Sequence, residues 1–312
     1  MTAVVAVVAS FEPAPELVDV VKRVVGQVES VIVVDDGSPS LVTSPDGGVR
    51  AVLDGCVALG ASLLESPSND GIAAALNRGV SEALARGADA VLTLDQDTLL
   101  DDDYVARVVD HLALATSVGL TRVMFSPSMI NDDVAPFWFA ARGLTLAFEP
   151  IQSGLVITRD VFDAVGLFDE DLFIDCVETE FYLRARAQGA HALIVPGTGI
   201  RHRLGRPARW TPPWPLRRLT RGATIEFSED APFRHYYIAR NRFVLYRRHA
   251  RSEPLWCAVS IVKDVVSRGR AMLIGTERRA RVYLTCAGIA AACRGRMGPI
   301  PDRTRRRAEG WS

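Results

Sequence analysis

The chain has 312 residues, enough to bury one large domain or one domain with an appendage. With 48% hydrophobic and 23% charged residues it belongs among globular chains and not disordered ones. The net charge of −1 hides a division: residues 1–200 carry 11 basic and 29 acidic side chains, whereas residues 201–312 carry 25 and 8. An acidic first part therefore precedes a basic region suited to an anionic surface.

In chain order, short apolar runs alternate with helical spacing. "AVVAVVA" (3–9), "SVIVVDD" (30–36), "ASLLES" (61–66) and "ADAVLTLD" (88–95) read as strands buried on both faces. Residues 15–25, 47–59 and 71–86 between them have helical periodicity, clearest where Ile72, Leu76, Val80 and Leu84 recur. Such alternation predicts a mostly parallel sheet with helices on both sides. A helix is expected from Tyr104, where Asp101, Asp102 and Asp103 suit a helix N-terminus. After residue 119 the pattern turns β-rich through 143–158, then gives a helix over 177–188 and a strand over 190–195. "PARWTPPWPLRR" (from 207) reads as a linker or irregular arm. Residues 235–250 and 254–294 read as Arg-studded amphipathic helices, and the final "DRTRRRAEG" as a frayed terminus. The expected domains are 1–206, with its halves at about 1–100 and 119–206, and 207–312.

Five scattered cysteines without a C-x-x-C pair read as ordinary thiols in a reducing compartment. Residues 1–9 lack a basic n-region and a cleavage pattern, and no apolar run reaches the roughly 20 residues a spanning helix needs. The expectation is a cytoplasmic protein, soluble or peripheral to a membrane.

In an open parallel α/β sheet, ligands bind outside the carboxyl ends of the strands. That edge receives Ser10-Phe11-Glu12-Pro13, Asp35-Asp36-Gly37-Ser38 and Asp95-Gln96-Asp97. No Rossmann fingerprint and no P-loop accompanies them. Asp35 and Asp36 suit either a ligand contact or a turn cap. Asp95 and Asp97 place two carboxylates on one side of an extended chain, a fit for one hard divalent cation that could hold a diphosphate.

Taken in order, "VVDDGS" (33–38), "NDGIAAALNRG" (69–79), "LDQD" (94–97), "QSGLVI" (152–157), "FDEDLFIDCVETEFYLRARAQG" (168–189), "RHRLG" (201–205), "YYIARN" (236–241) and "CRGRMG" (293–298) resemble the inverting glycosyltransferases of family 2. The resemblance is to bacterial rhamnosyltransferase-type members, and it implies the GT-A fold, with a Rossmann-like central sheet and here a C-terminal helical extension. It makes Asp35 a contact to base or ribose with Asp36 in support, and puts Asn69 and Gly71 in the loop beside the nucleotide. Asp95 would face ribose or metal, Asp97 would be the principal ligand of Mg²⁺ or Mn²⁺, and His202 would join the metal or diphosphate. Ser153 and Gly154 would line the donor cleft.

The implied reaction moves a sugar, L-rhamnose from dTDP-L-rhamnose, to a hydroxyl of a cell-surface or polyprenyl-linked glycan. UDP-galactofuranose or a UDP-hexose is the alternative donor, and a degenerate nucleotide-sugar-binding protein the non-enzymatic alternative. Inversion needs a base opposite the leaving group, for which Asp175, Glu178 and Glu180 are the candidates. Glu178 and Glu180 lie about 200° apart on a helix, so only one can face a given cleft. Glu180 is spaced to pair with Arg184, and the resemblance aligns Glu178 with the family's base, usually an Asp. The basic C-terminal region carries no nucleic-acid motif. It suits an anionic membrane at the inner face, with Trp256, Val259, Ile261, Val262, Met272, Tyr283 and Leu284 turned inward or toward lipid.

Overall fold

Residues 2–202, 205–213 and 224–311 are described by a computed structural model. β-Branched runs form the first strands and amphipathic segments the helices between them: β1 (Val4–Ser10), α1 (Glu16–Val24), β2 (Ser30–Asp35), α2 (Pro39–Thr43), α3 (Gly48–Ala58), β3 (Ser62–Glu65), α4 (Ile72–Ala85) and β4 (Ala90–Asp95). There follow β5 (Leu99–Leu100), α5 (Tyr104–Ser117), β6 (Val123–Ile130), β7 (Asp133–Val134), β8 (Phe137–Ala141), β9 (Leu144–Ala147), β10 (Leu155–Thr158), α6 (Arg159–Val165), α7 (Val177–Ala187) and β11 (His191–Arg201). The expected strands and helices of the first hundred residues are all present, shifted by a residue or two at their ends.

The main sheet runs β3-β2-β1-β4-β10-β6-β11-β9-β8. Strands β3, β2, β1 and β4 are mutually parallel. β10 runs antiparallel between β4 and β6, and β6 pairs in parallel with β11. Every residue of β1 is buried, as strands covered by helices on both faces require. Register sets the site: Ser10 lies opposite Asp35 and Ala9 opposite Asp95, so the acidic strand ends emerge along one edge.

Contacts divide the chain into two units, Met1–Phe173 with Val177–Arg203, and Leu204–Ser312 with Ile174–Cys176. The second unit contains β12 (Arg206–Trp210) antiparallel to β13 (Ile225–Glu229). Its helices are α8 (Arg234–His249), α9 (Pro254–Ile274), α10 (Arg278–Cys293) and α11 (Asp302–Glu309). The expected irregular arm thus begins as a strand, with Pro207 near its start where a missing N–H is tolerated; residues 214–223 lie outside the described residues. The terminus expected to fray is a helix. Asp302 in its first turn and Arg306 and Arg307 in its last complement the helix dipole, Ala308 is buried, and Arg307 lies over the rings of Tyr283 and Trp311.

Ile174–Cys176 joins the second unit because the Asn241 amide donates to the carbonyls of Ile174 and Asp175 at 2.9 and 2.8 Å. Among the described residues, no helix is long and apolar enough to cross a membrane.

Helix α4 lies tight on the sheet through Gly79. A Cβ there would stand 2.3 Å from Val7 Cγ1 and 3.1 Å from Val34 Cγ2, both belonging to buried, χ1-restricted side chains. Gly79→Ala should therefore destabilise the fold by about 1–3 kcal/mol through overpacking, read as a lower urea midpoint with an unchanged slope.

Candidate functional site

At the end of β2 the Asp35 carboxylate is fully buried and accepts from the Ser38 N–H at 2.8 Å and the Ser38 hydroxyl at 2.5 Å. The next residue, Asp36, accepts from the N–H groups of Asp70 and Gly71 at 3.1 and 2.8 Å. Burial pushes the Asp36 carboxyl above its ordinary range, and those two N–H groups and then Arg78 oppose the rise. The two aspartates thus hold two different loops. Glu12, with φ +47°, completes the edge: its carboxylate accepts from the Ser40 N–H and hydroxyl at 2.8 and 2.6 Å.

Asn69 is exposed beside this carboxylate pair. Gly71 has φ +95°, and a Cβ there would meet the Phe173 carbonyl oxygen at 2.4 Å. The close backbone approach that glycine permits is made by Phe173.

Asp95, Asp97 and His202 come together from β4, the turn after it and the residue following β11. Each offers one ligand atom, and these atoms all lie within 4.8 Å of one another. His202 Nε2 stands 3.8 Å from Asp95 Oδ2, and Nδ1 3.4 Å from Asp97 Oδ1. Three further residues fix this arrangement: Ser153, expected in the donor cleft, and Thr98 and Asn131, which sequence reasoning missed. The Thr98 hydroxyl bonds His202 Nδ1 at 2.7 Å and is hydrogen-bonded to Ser153 Oγ at 2.7 Å; Ser153 in turn accepts from the Asp95 N–H at 2.9 Å. The Asn131 side chain clamps the His202 backbone through both its N–H and its carbonyl, at 3.0 Å each. The neighbouring Gly154, at φ +85°, accepts the Tyr104 hydroxyl at 2.6 Å.

Two carboxylates and an imidazole form a donor set that suits Mn²⁺ or Mg²⁺. In the tautomer in which Nδ1–H donates to Thr98, Nε2 keeps its lone pair for a cation, the usual arrangement around a ligating histidine. The residues fit the ion that the sequence implied. Thr98 stood next to the D-x-D and its polarity was the only signal; nothing local in the sequence marks Asn131.

The three candidate bases are placed differently. Glu180 is buried and held by Arg184, whose Nε and Nη2 reach its two oxygens at 3.1 and 2.8 Å, the expected i,i+4 pair. Arg184 also donates to the carbonyls of Val165 and Leu167, so the pair fastens α7 to the loop after α6. Glu178, in the first turn of α7, is half-buried. Asp175 belongs to the second unit, where Arg234 donates to its Oδ1. Burial raises the Asp175 carboxyl, and Arg234 opposes the rise. Its φ is +69°, between Phe173 at +64° and Cys176 at +62°, so this short stretch carries backbone strain of the kind found at functional segments.

Residues 5–131 match the family model for glycosyl transferase family 2. A curated relative, the dTDP-rhamnosyl transferase RfbF of Shigella flexneri, is 33% identical over 99 residues, which are 32% of this chain and 30% of the relative. The chain thus spans under a third of that relative's length. Among solved structures, residues 1–349 of S. aureus TarS in complex with UDP give a TM-score of 0.58 at 12% identity, covering 97% of this chain and 82% of that one. GalNAc-T7 with UDP, GalNAc and Mn²⁺ gives 0.50 at 13%, covering 65% and 44%. These likenesses are of fold, and the fold is the GT-A type.

Thr98→Val should leave the fold intact and weaken Mn²⁺ binding by about 10–100-fold, because the imidazole loses the partner that orients it. Titration calorimetry with Mn²⁺ checks this; unchanged affinity would show that Thr98 does not position His202.

Proposed function

Residues 5–131 match the model of glycosyl transferase family 2, and from that likeness we propose that the protein transfers a sugar from a nucleotide-activated donor to a hydroxyl acceptor with inversion. The observation that carries the reading is the Asp95–Asp97–His202 cluster at the ligand edge of the sheet. A divalent cation bound there neutralises charge developing on a diphosphate leaving group. The favoured donor is dTDP-L-rhamnose, supported by the likeness to a dTDP-rhamnosyl transferase, and the favoured acceptor is a cell-surface or lipid-linked glycan.

In this reading the chain's own residues divide the work. Asp35 and Asp36 hold the loops at 38–40 and 70–71 against the nucleotide, with Asn69 and Gly71 in the second of them. Ser153 and Gly154 form the wall beside Asp95. Glu178 takes the proton of the acceptor hydroxyl, since a base must reach solvent-borne acceptor and Glu178 is the more accessible acid of α7, where Glu180 is buried against Arg184.

The site of action proposed is the inner face of a membrane. Helix α9 exposes Leu255, Val259, Val262, Val266 and Leu273, whose spacings of three, four and seven put them on one face. Lys263 and Arg270 are exposed on the same helix. Such a helix lies in an anionic lipid interface, its apolar face inward and its basic residues among headgroups. Trp256 and Leu284 are buried and hold the helices together.

Asp97→Ala should abolish transfer from dTDP-L-rhamnose, and Glu178→Gln should retain donor binding in a thermal-shift assay while losing turnover by at least about a hundredfold. Full activity of Asp97→Ala in EDTA would remove the metal reading, and a response to UDP-sugars alone would reassign the donor. The double variant Val262→Glu/Val266→Glu should lose co-sedimentation with anionic vesicles. If vesicle binding persists and only the oligomeric state changes, the face pairs with a second copy and not with lipid.

A further inference from the structure

The second unit contains a cavity of about 70 Å³ between β13, α8 and α9, remote in sequence from the strand-end site. It is lined by His235, Asp264, Arg268, Glu229, Asp230 and Ser267 among others. We propose that it binds a phosphate-like oxyanion, held by the Nδ1–H of His235 and the Nη1 of Arg268.

His235 is only 4% exposed. Its Nε2 lies 2.8 Å from Arg281 Nη1. A guanidinium can only donate, so Nε2 accepts, and the proton of a neutral ring sits on Nδ1. The ring is neutral: burial, and then the charge of Arg281, push its pKa down to about 4. Nδ1–H is consequently a buried donor, and it has no partner among the described residues. Arg268 supplies a second one. Its Nη2 pairs with Asp264 at 2.7 Å, while its Nη1 is buried without a partner among the described residues.

The acids around the cavity are already engaged. Glu229 accepts from the Thr276 N–H at 3.0 Å and pairs with Arg281 at 3.2 Å. Asp230 pairs with Arg234 at 3.1 Å. Asp264 accepts from the Tyr246 hydroxyl as well as from Arg268. What remains unmet is donor capacity from two different helices, one donor carrying formal charge. Leaving buried donors unmet is unfavourable, and an anion with two acceptor oxygens satisfies both. The cavity has room for about five water-sized groups, which matches a tetrahedral oxyanion and not a nucleotide. The chemistry recognised is that of a phosphate group, whether free or at the head of a lipid.

The test uses the full chain and two conservative variants. Arg268→Lys keeps a cation for Asp264 and removes Nη1. His235→Gln keeps an acceptor for Arg281 and removes the Nδ1 donor. Inorganic phosphate is titrated at constant ionic strength, set with chloride, and melting temperature and calorimetry are followed; a second arm measures binding to phosphatidylcholine vesicles with and without phosphatidic acid. The wild type should show saturable stabilisation by phosphate, about tenfold weaker or more in each variant, with ligand-free melting temperatures close to wild type. Loss of phosphatidic-acid binding in the variants without any effect of free phosphate supports the same site with a lipid source. Equal phosphate affinity in all three proteins would place the anion elsewhere. No saturable response in either arm would mean that the cavity holds only water; both results overturn the proposal.

Discussion

The first unit depends on one constraint: parallel strands that end in register bring their terminal carboxylates to the same edge. Each of those charges must be met. Asp35 is met by Ser38, Asp36 by the backbone of 70–71, and Glu12 by Ser40. All three accept from neutral donors of the adjoining loops, and Asp36 also has Arg78 at 3.9 Å, so their charge goes into shaping the edge. At Asp95 and Asp97 an imidazole stands close, 3.8 and 3.4 Å from their oxygens. At the 4.8 Å limit of the cluster, two carboxylates repel by roughly 3 kcal/mol at an effective dielectric near 20. A fold that positions a third ligand beside that repulsion, and braces it with Thr98 and Asn131, has a geometry suited to a cation.

The second unit meets the opposite problem. Arg240 and Arg281 are among its most buried side chains, and buried guanidinium groups persist only when every direction is paired. Arg281 donates to the Thr276 and Asp230 carbonyls, to His235 and to Glu229. Arg240 reaches Asn241 and the Gly298 carbonyl and lies over the rings of Tyr236 and Tyr237. Part of the basic excess of residues 201–312 is therefore internal framework. The surface charge left for the proposed membrane contact is smaller than composition suggests, and that proposal leans correspondingly more on the apolar stripe of α9.

Sequence periodicity revealed the sheet, because strands covered on both faces must be apolar throughout, and it revealed the acidic edge, because strand ends are where ligands bind. The D-x-D was legible for the same reason. Thr98 and Asn131 were not: each acts on His202 across about a hundred or seventy residues of chain, and only tertiary structure brings such residues together. The terminal helix was missed because its sequence is charged almost throughout. Its stability comes from dipole complementarity and from the Arg307 contacts to Tyr283 and Trp311, which a hydrophobic pattern does not register. The strand at Arg206–Trp210 was hidden by its prolines, which mark loops more often than the ends of two-stranded ribbons.

Gly71 shows how the edge and the segment before α7 constrain each other inside the first unit. Its N–H is held by Asp36, its positive φ turns the chain into α4, and its missing Cβ admits the Phe173 carbonyl. The sequence pattern suggested glycine for the sake of a ligand; the structure shows backbone packed against backbone. Phe173 is itself left-handed at φ +64°, a conformation that a bulky side chain keeps only when its surroundings impose it. The loop proposed to face the nucleotide and the segment leading into the helix of Glu178 thus meet where the carbonyl and ring edge of Phe173 close on Gly71. A contact of that kind has little freedom to slide, and it fixes the distance between the two parts more firmly than a flexible ion pair would. For the proposed transfer, where nucleophile and leaving group must approach within a narrow range, such stiffness would serve the chemistry.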